Sequence, residues 1–272
     1  MHRSIYYILI IFLILISGSL SSCVSSTENK TNAVPVEHYT TPIDFSKPDY
    51  QLMLKTYPVN NRPRFFASVI RMSNREDELT AALLQASEQA SKFIAVKAVS
   101  QFYTEKINTS MKYLRNLEVQ WDRELAIEMI DRLVLLEVYQ DTYGTYIVTE
   151  LRDHPIDKVH FDSKWKNGKP EWTDVIPNIP GYIVSVGLSL QSGYVADSFT
   201  ASDNQALEDL SRQISVDIVT GRRLVENSVG TASVQTNLET SEVVIPGFYI
   251  LDRWRTPDGH YYYSLGIAPE LK

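Results

Sequence analysis

Four potential metal ligands fall within nine residues in His154-Pro-Ile-Asp157-Lys-Val-His160-Phe-Asp162. Two imidazoles and a carboxylate can hold a catalytic zinc ion, which takes three protein ligands and leaves a fourth position open. The run lacks a helical His-x-x-x-His face and contains a proline, so it reads better as a solvated connector. Glu76-Asp77 and Glu208-Asp209 are the other acid–base candidates. On predicted helix faces such pairs are solvated charge, and general-acid work requires burial. No Gly-x-Ser-x-Gly elbow and no glycine-rich phosphate loop occurs, so nucleophilic serine and nucleotide chemistry have no local signature. Tyr261-Tyr262-Tyr263 with Trp254, and Trp165 with Trp172, offer rings for stacking a sugar or a partner peptide. Alternate strand residues point to opposite faces, which separates Tyr262 from its two neighbours and favours cross-strand packing. Exposure of both Trp165 and Trp172 would favour a binding platform.

The chain's single cysteine, Cys23, sits where a different chemistry is expected. Ahead of it come His2 and Arg3, the apolar run Ile5 to Ile16, and small polar residues up to Ser22. This is the three-part plan of a secretory signal, and the apolar run is shorter than the roughly 20 residues of a spanning helix. Leu20-Ser21-Ser22-Cys23 resembles the lipobox of bacterial lipoproteins. The resemblance implies cleavage before Cys23, a diacylglyceryl thioether on its sulfur and acylation of the new amino group. Two or more acyl chains, at about 0.8 kcal/mol per buried methylene, anchor stably. Val24 in place of an aspartate implies sorting to the outer rather than the inner membrane. Cleavage removes Arg3 from the 26 Lys and Arg, leaving 25 against 33 Asp and Glu, a formal −8. That balance argues against a nucleic-acid footprint, and one cysteine allows no internal disulfide.

The elements that position these residues follow from pattern. Residues 1–22 are expected to be a signal peptide and 23–57 a flexible tether rich in Ser, Thr, Asn and Pro. Beyond it, Phe65-Phe66-Ala67-Ser68-Val69 is echoed by Tyr182-Ile183-Val184-Ser185-Val186 at an offset of 117, and Gly144 to Thr149 by Gly259 to Ser264 at 115. These echoes suggest a duplicated module, 58–153 and 172–272, joined by a linker at 154–171. Each copy opens with a strand, Arg64 to Met72 and Gly181 to Leu190. Each continues with a helix whose apolar stripe runs through Leu79, Leu83, Ala86, Ala90, Phe93 and on to Lys97, or through Phe199, Ala206, Leu207, Leu210, Ile214 and Ile218. Less regular stretches follow, Ile107 to Arg132 and Arg222 to Glu242, with a helix face at Leu125, Met129 and Leu133. Each copy closes on a hairpin, Leu133–Gln140 with Thr145–Leu151, then Val244–Trp254 with Tyr261–Ile267. The expected fold is α+β, in two tandem copies of a long amphipathic helix on a small antiparallel sheet.

Trp172 through Gly187, the helix containing Ala206, Ile214 and Val216, Gly247 to Trp254 and Tyr261 to Ala268 resemble the twenty-kilodalton LPP-type envelope lipoproteins. A related module occurs in the amino-terminal domain of the flagellar T-ring assembly protein. The likeness covers the second copy, about Trp172 to Pro269. The first departs from it, with Arg71 where the second has Leu188 and no Trp before Pro58 and Pro63. The resemblance implies a nonenzymatic envelope module, without cofactor or metal, near the flagellum or cell surface, and carries over no functional residue beyond Cys23. The expected partners are the membrane, through lipidated Cys23, and an envelope protein. The alternative is a lipoprotein that recognises cell-wall glycan or a small envelope molecule in a cleft between the copies. A hydrolase using His154 and His160 is a third reading.

Overall fold

Runs of β-branched and aromatic residues bounded by Asn, Gly and Pro set the strands, and alanine-bearing apolar stripes set the helices. A computed structural model of the chain describes residues 34–45, 53–107, 110–226 and 238–270. The signal segment, Cys23 and the first part of the expected tether lie outside the described residues, and Val34–Lys272 forms one compact unit. After β1 (Val36–His38) come β2 (Arg64–Ile70), α1 (Arg75–Ile94), β3 (Val96–Ile107), β4 (Ser110–Trp121), α2 (Arg123–Ile130), β5 (Leu133–Gln140) and β6 (Gly144–Leu151). A small hairpin, β7 (Trp165–Lys166) with β8 (Lys169–Pro170), leads to β9 (Tyr182–Leu190), α3 (Val195–Glu226), β10 (Leu238–Ile245), β11 (Tyr249–Arg255) and β12 (Tyr261–Pro269). The fold is mixed α+β, with small sheets that are antiparallel except where β1 runs parallel to β5.

Local chemistry fixes the helix ends. Asn74 caps α1 by accepting from the Glu76 N–H at 3.0 Å, and Glu76, Asp77 and Glu78 place negative charge in its first turn. Asp122 caps α2 through the Leu125 N–H at 2.9 Å. The stripe expected to reach Lys97 stops at Ile94. Ala95 turns extended, and Val96 opens a twelve-residue strand instead. The stretch expected to be irregular is β4 followed by α2. The single strand expected over Val244 to Trp254 is two strands, β10 and β11, parted at Pro246-Gly247, where Gly247 has φ of 72°.

The sheets are ordered β1-β5-β6-β2, β10-β3-β4 and β11-β12-β9. Both halves thus set the closing strand between its hairpin partner and the opening strand. Both hairpins carry a bulge, between Leu135 and Glu137 and between Ile250 and Asp252. The Arg71 N–H donates to the Tyr143 carbonyl as the Gln191 N–H does to that of His260. At the helix starts the Met72 N–H donates to Glu78 Oε1 and the Ser192 N–H to Ser198 Oγ. Matching residues stand 120 apart in the opening strand and helix and 117 apart in the closing strand. The sequence echoes, at 117 and 115, therefore do not pair matching positions. A three-residue slip exchanges strand faces: Phe66 turns away from α1, whereas Ile183 packs toward α3.

The halves are interlocked. β10 pairs along β3 from Leu238 opposite Tyr103 to Ile245 opposite Val96, so the second half completes a sheet begun in the first. One core joins Phe65, Ala86 and Ile147 to Tyr249, Leu251 and Ile267. The expected tether is also corrected from residue 34 onward. Ile43, Phe45, Met53 and Leu54 are buried and cover the face of Phe66 and Tyr146 that α1 leaves open. The Ile43 N–H donates to Asp141 Oδ2 at 2.7 Å, and the Thr56 N–H to the Leu251 carbonyl at 3.1 Å. Four scattered apolar residues show no period, yet each fills a gap in the core, and that burial offsets the cost of ordering the segment.

Candidate functional site

The residues singled out by type do not converge. His154 contacts Asp153 at 3.2 Å and Arg132 at 3.0 Å, while Asp157, His160 and Asp162 are exposed and Ile156 between them is buried. Among the described residues, no three His, Cys, Asp or Glu side chains lie where they could share a metal ion. Glu76 and Asp77 are exposed, but Glu208 is buried and paired with Arg212, so that pair is not the solvated charge expected. Tyr262 is fully buried while Tyr261 is exposed, and Tyr263 packs on Trp254 across the hairpin with ring centroids 5.5 Å apart. Trp172 is buried and Trp165 exposed beneath Lys55, whose ammonium lies 5.8 Å from its ring. The two tryptophans therefore do not form one exposed platform.

Two polar sites emerge that pattern did not reveal. Asp252, on β11, is 1% exposed and accepts the Tyr57 hydroxyl at 3.0 Å and the Trp172 indole N–H at 3.1 Å, both on Oδ2. It ties the segment before β2 and the stretch between β8 and β9 to β11. Burial, outweighing these bonds, raises its pKa from 3.8 to about 6. The folded chain therefore holds an extra proton across that window. The stability this confers is complete below 3.8 and is lost as the pH rises through about 6, a fall of about 3 kcal/mol. Asp252→Asn keeps an oxygen for Tyr57 and Trp172 and should remove this component. Urea unfolding of parent and variant from pH 4 to 7.5 checks it; parallel pH profiles would show that another group is responsible.

The second site is a cleft of about 70 Å³ between α1 and α3. Gln85, Glu88, Gln89 and Lys92 line it from α1, Thr200, Asp203 and Asn204 from α3, over a floor that includes Phe65, Leu207 and Ile250. The α-helical period brings residues four apart to the same side, so the α1 residues form one polar edge. Arg253 on β11 joins both walls. Its Nε donates to Asp203 Oδ1 at 3.0 Å and its Nη2 to Asp203 Oδ2 at 2.8 Å and to Gln89 Oε1 at 3.3 Å. The Ser264 hydroxyl donates to Asp203 Oδ1 at 2.5 Å. Lys92 holds its ammonium 4.3 Å from the Trp121 ring centroid, and burial lowers its pKa. Sites for drug-sized ligands run to about 300–1,000 Å³, so this cleft has no room for a disaccharide. The sequence signal for both sites was charge in an apolar strand: Asp252 and Arg253 stand within Tyr-Ile-Leu-Asp-Arg-Trp. Comparison of the chain with protein-family models, with curated proteins and with solved structures found no match.

Proposed function

We propose that this chain is a membrane-anchored bacterial lipoprotein that acts as a noncatalytic interaction or assembly module of the cell envelope. The observation that carries the reading is Cys23, the only cysteine, placed directly after a signal-like segment. The likeness of Trp172 to Pro269 to LPP-type lipoproteins supports it. A duplication origin for the two halves is part of the proposal, supported by their common strand order and repeated backbone bonds.

Anchoring at Cys23 bounds where the body can act. Val34 follows Cys23 by eleven residues, and at about 3.6 Å per step it lies no farther than about 40 Å from the anchor. The partner must then meet the body close to the membrane, the outer membrane on the evidence of Val24. A Cys23→Ala chain should move from the membrane fraction to the soluble fraction, and the parent's mature mass should equal a chain starting at Cys23 plus its acyl groups. Membrane retention of the variant, or an unmodified parent cysteine, would contradict the anchor. The second reading, a ligand-binding lipoprotein, is favoured by the interhelical cleft, whose size suits a small molecule rather than a cell-wall glycan.

A further inference from the structure

The two sheets that carry the helices close most of their edges. β1 lies along β5, and Thr56 bonds β11 through its N–H to the Leu251 carbonyl and through its hydroxyl to that of Ile250. On β2 the side chains of α1 take the outward backbone groups: Gln85 accepts the Ser68 N–H at 2.9 Å and Gln89 donates to the Phe66 carbonyl at 2.7 Å. β9 is the matching strand of the second half, and most of its edge is left open. Its even-numbered residues turn their N–H and C=O groups away from β12, as in the bond from Gln213 Nε2 to the Val184 carbonyl at 3.1 Å. The residues 120 positions beyond Gln85 and Gln89 are Gln205 and Asp209, and Gln205 donates to Asp209 at 3.1 Å. Among the described residues, no hydrogen bond reaches the outward N–H and C=O groups of Val186, Leu188 and Leu190.

An open edge is a template for another strand, and natural edges are guarded by charge, proline or a bulge. β9 carries none of these. It reads Tyr-Ile-Val-Ser-Val-Gly-Leu-Ser-Leu, pairs with β12 without a register shift, and lies in a stretch with no charged residue between Asp174 and Asp197. Leu188 and Leu190 are exposed on the face opposite α3, with Tyr261 exposed beside Leu190. The strand is also self-complementary. A two-fold axis perpendicular to the sheet pairs residues of equal parity, and an axis through Leu188 sets Leu188 against itself and Val186 against Leu190. These are the residues whose backbone groups point outward, so each pair exchanges two hydrogen bonds while its side chains meet on one face. We propose that β9 is a homodimer interface, joining two copies antiparallel into one six-stranded sheet ordered β11-β12-β9-β9-β12-β11. A second copy is favoured over a foreign strand because an isologous contact needs one patch that matches itself, and this patch holds no charge to repel its own copy. The dimer goes beyond the envelope-module reading and does not depend on the anchor.

Disulfide trapping of the full-length protein in detergent tests it. A hydrogen-bonded antiparallel pair holds its Cα atoms about 5.5 Å apart, within disulfide reach. Leu188→Cys in a Cys23→Ala background, oxidised at about 10 μM, should form at least about tenfold more covalent dimer than Ile127→Cys, a control exposed on α2. Adding Leu190→Lys, which sets a cation against Val186 of the other copy, should lower trapping at least about tenfold. Leu190 is exposed, so an unchanged urea midpoint separates this loss from misfolding. Sedimentation of the parent should give a dimer that Leu190→Lys converts to a monomer. Trapping at Leu188 no greater than at Ile127, trapping that survives Leu190→Lys, or a parent that stays monomeric up to about 100 μM would each overturn the proposal. Leu188→Cys trapped in cells on a different protein rather than on itself would assign the edge to a foreign strand and overturn it as well.

Discussion

Gly187→Ala is expected to cost about 3 kcal/mol or more of folding stability for a single added methyl. A Cβ at Gly187 would lie 1.9 Å from the Ser202 carbonyl oxygen and 2.4 Å from the Ala206 backbone nitrogen. Both obstacles are backbone, so no rotamer change relieves them, and α3 must move away from β9. The corresponding contact in the first half has a different solution. Ala67 on β2 faces α1 at Ala82 and Ala86, and the matched residues Gly187, Ser202 and Ala206 stand 120 positions later. There the helix rides far enough from the strand to admit a methyl group. Ala67→Gly should accordingly cost only about 1–2 kcal/mol, from a small cavity and added chain entropy. Urea midpoints with unchanged slopes measure both losses. A Gly187→Ala loss below about 1 kcal/mol would mean that α3 does not press on β9 as closely as described.

The second large effect is expected at Arg253. Its side chain is 1% exposed, bonds both oxygens of Asp203, reaches Gln89 on the opposite helix, and lies with its guanidinium carbon 5.4 Å from the Phe66 ring. Arg253→Met retains much of the volume but leaves the Asp203 carboxylate without its counter-charge, a change worth about 3–5 kcal/mol. Asp203→Leu strands the guanidinium and should cost a similar amount. The double variant removes both charges and should recover a large part of the sum, because an apolar replacement of a buried pair is often close to neutral. Strict additivity in this cycle would show that Arg253 acts through packing alone. The pair matters to architecture because it binds the walls of a cleft whose two helices come from different halves of the chain.

The strands and helices were legible wherever one face of a segment meets one core. Leu133–Gln140 was delimited from pattern alone, and the opening strands and the first closing hairpin were located within a residue or two, whereas the strand expected to open the second hairpin at Val244 begins at Tyr249. What escaped was the cross-talk between halves. β3 and β10 satisfy each other across more than a hundred residues of sequence, and no local period reports a partner that distant. Ile43, Phe45, Met53 and Leu54 are legible as apolar residues but not as a lid over Phe66, because they act singly. The cleft was anticipated only as a gap between copies; its polar edge on α1 is hidden in an ordinary helix surface. Asp252 and Arg253 announced themselves by interrupting an apolar strand, yet only the fold reveals that one meets Tyr57 and Trp172 and the other Asp203.

The tethered-module reading is tested most directly by crosslinking the full-length protein in cells and identifying what it captures, with Cys23→Ala as the mislocalised control. A body whose attachment point, Val34, is held within about 40 Å of the membrane meets a restricted set of neighbours. The expected result is one recurrent envelope partner in the parent that is lost in the variant. Capture of bulk envelope proteins without preference, the same in both, would contradict it.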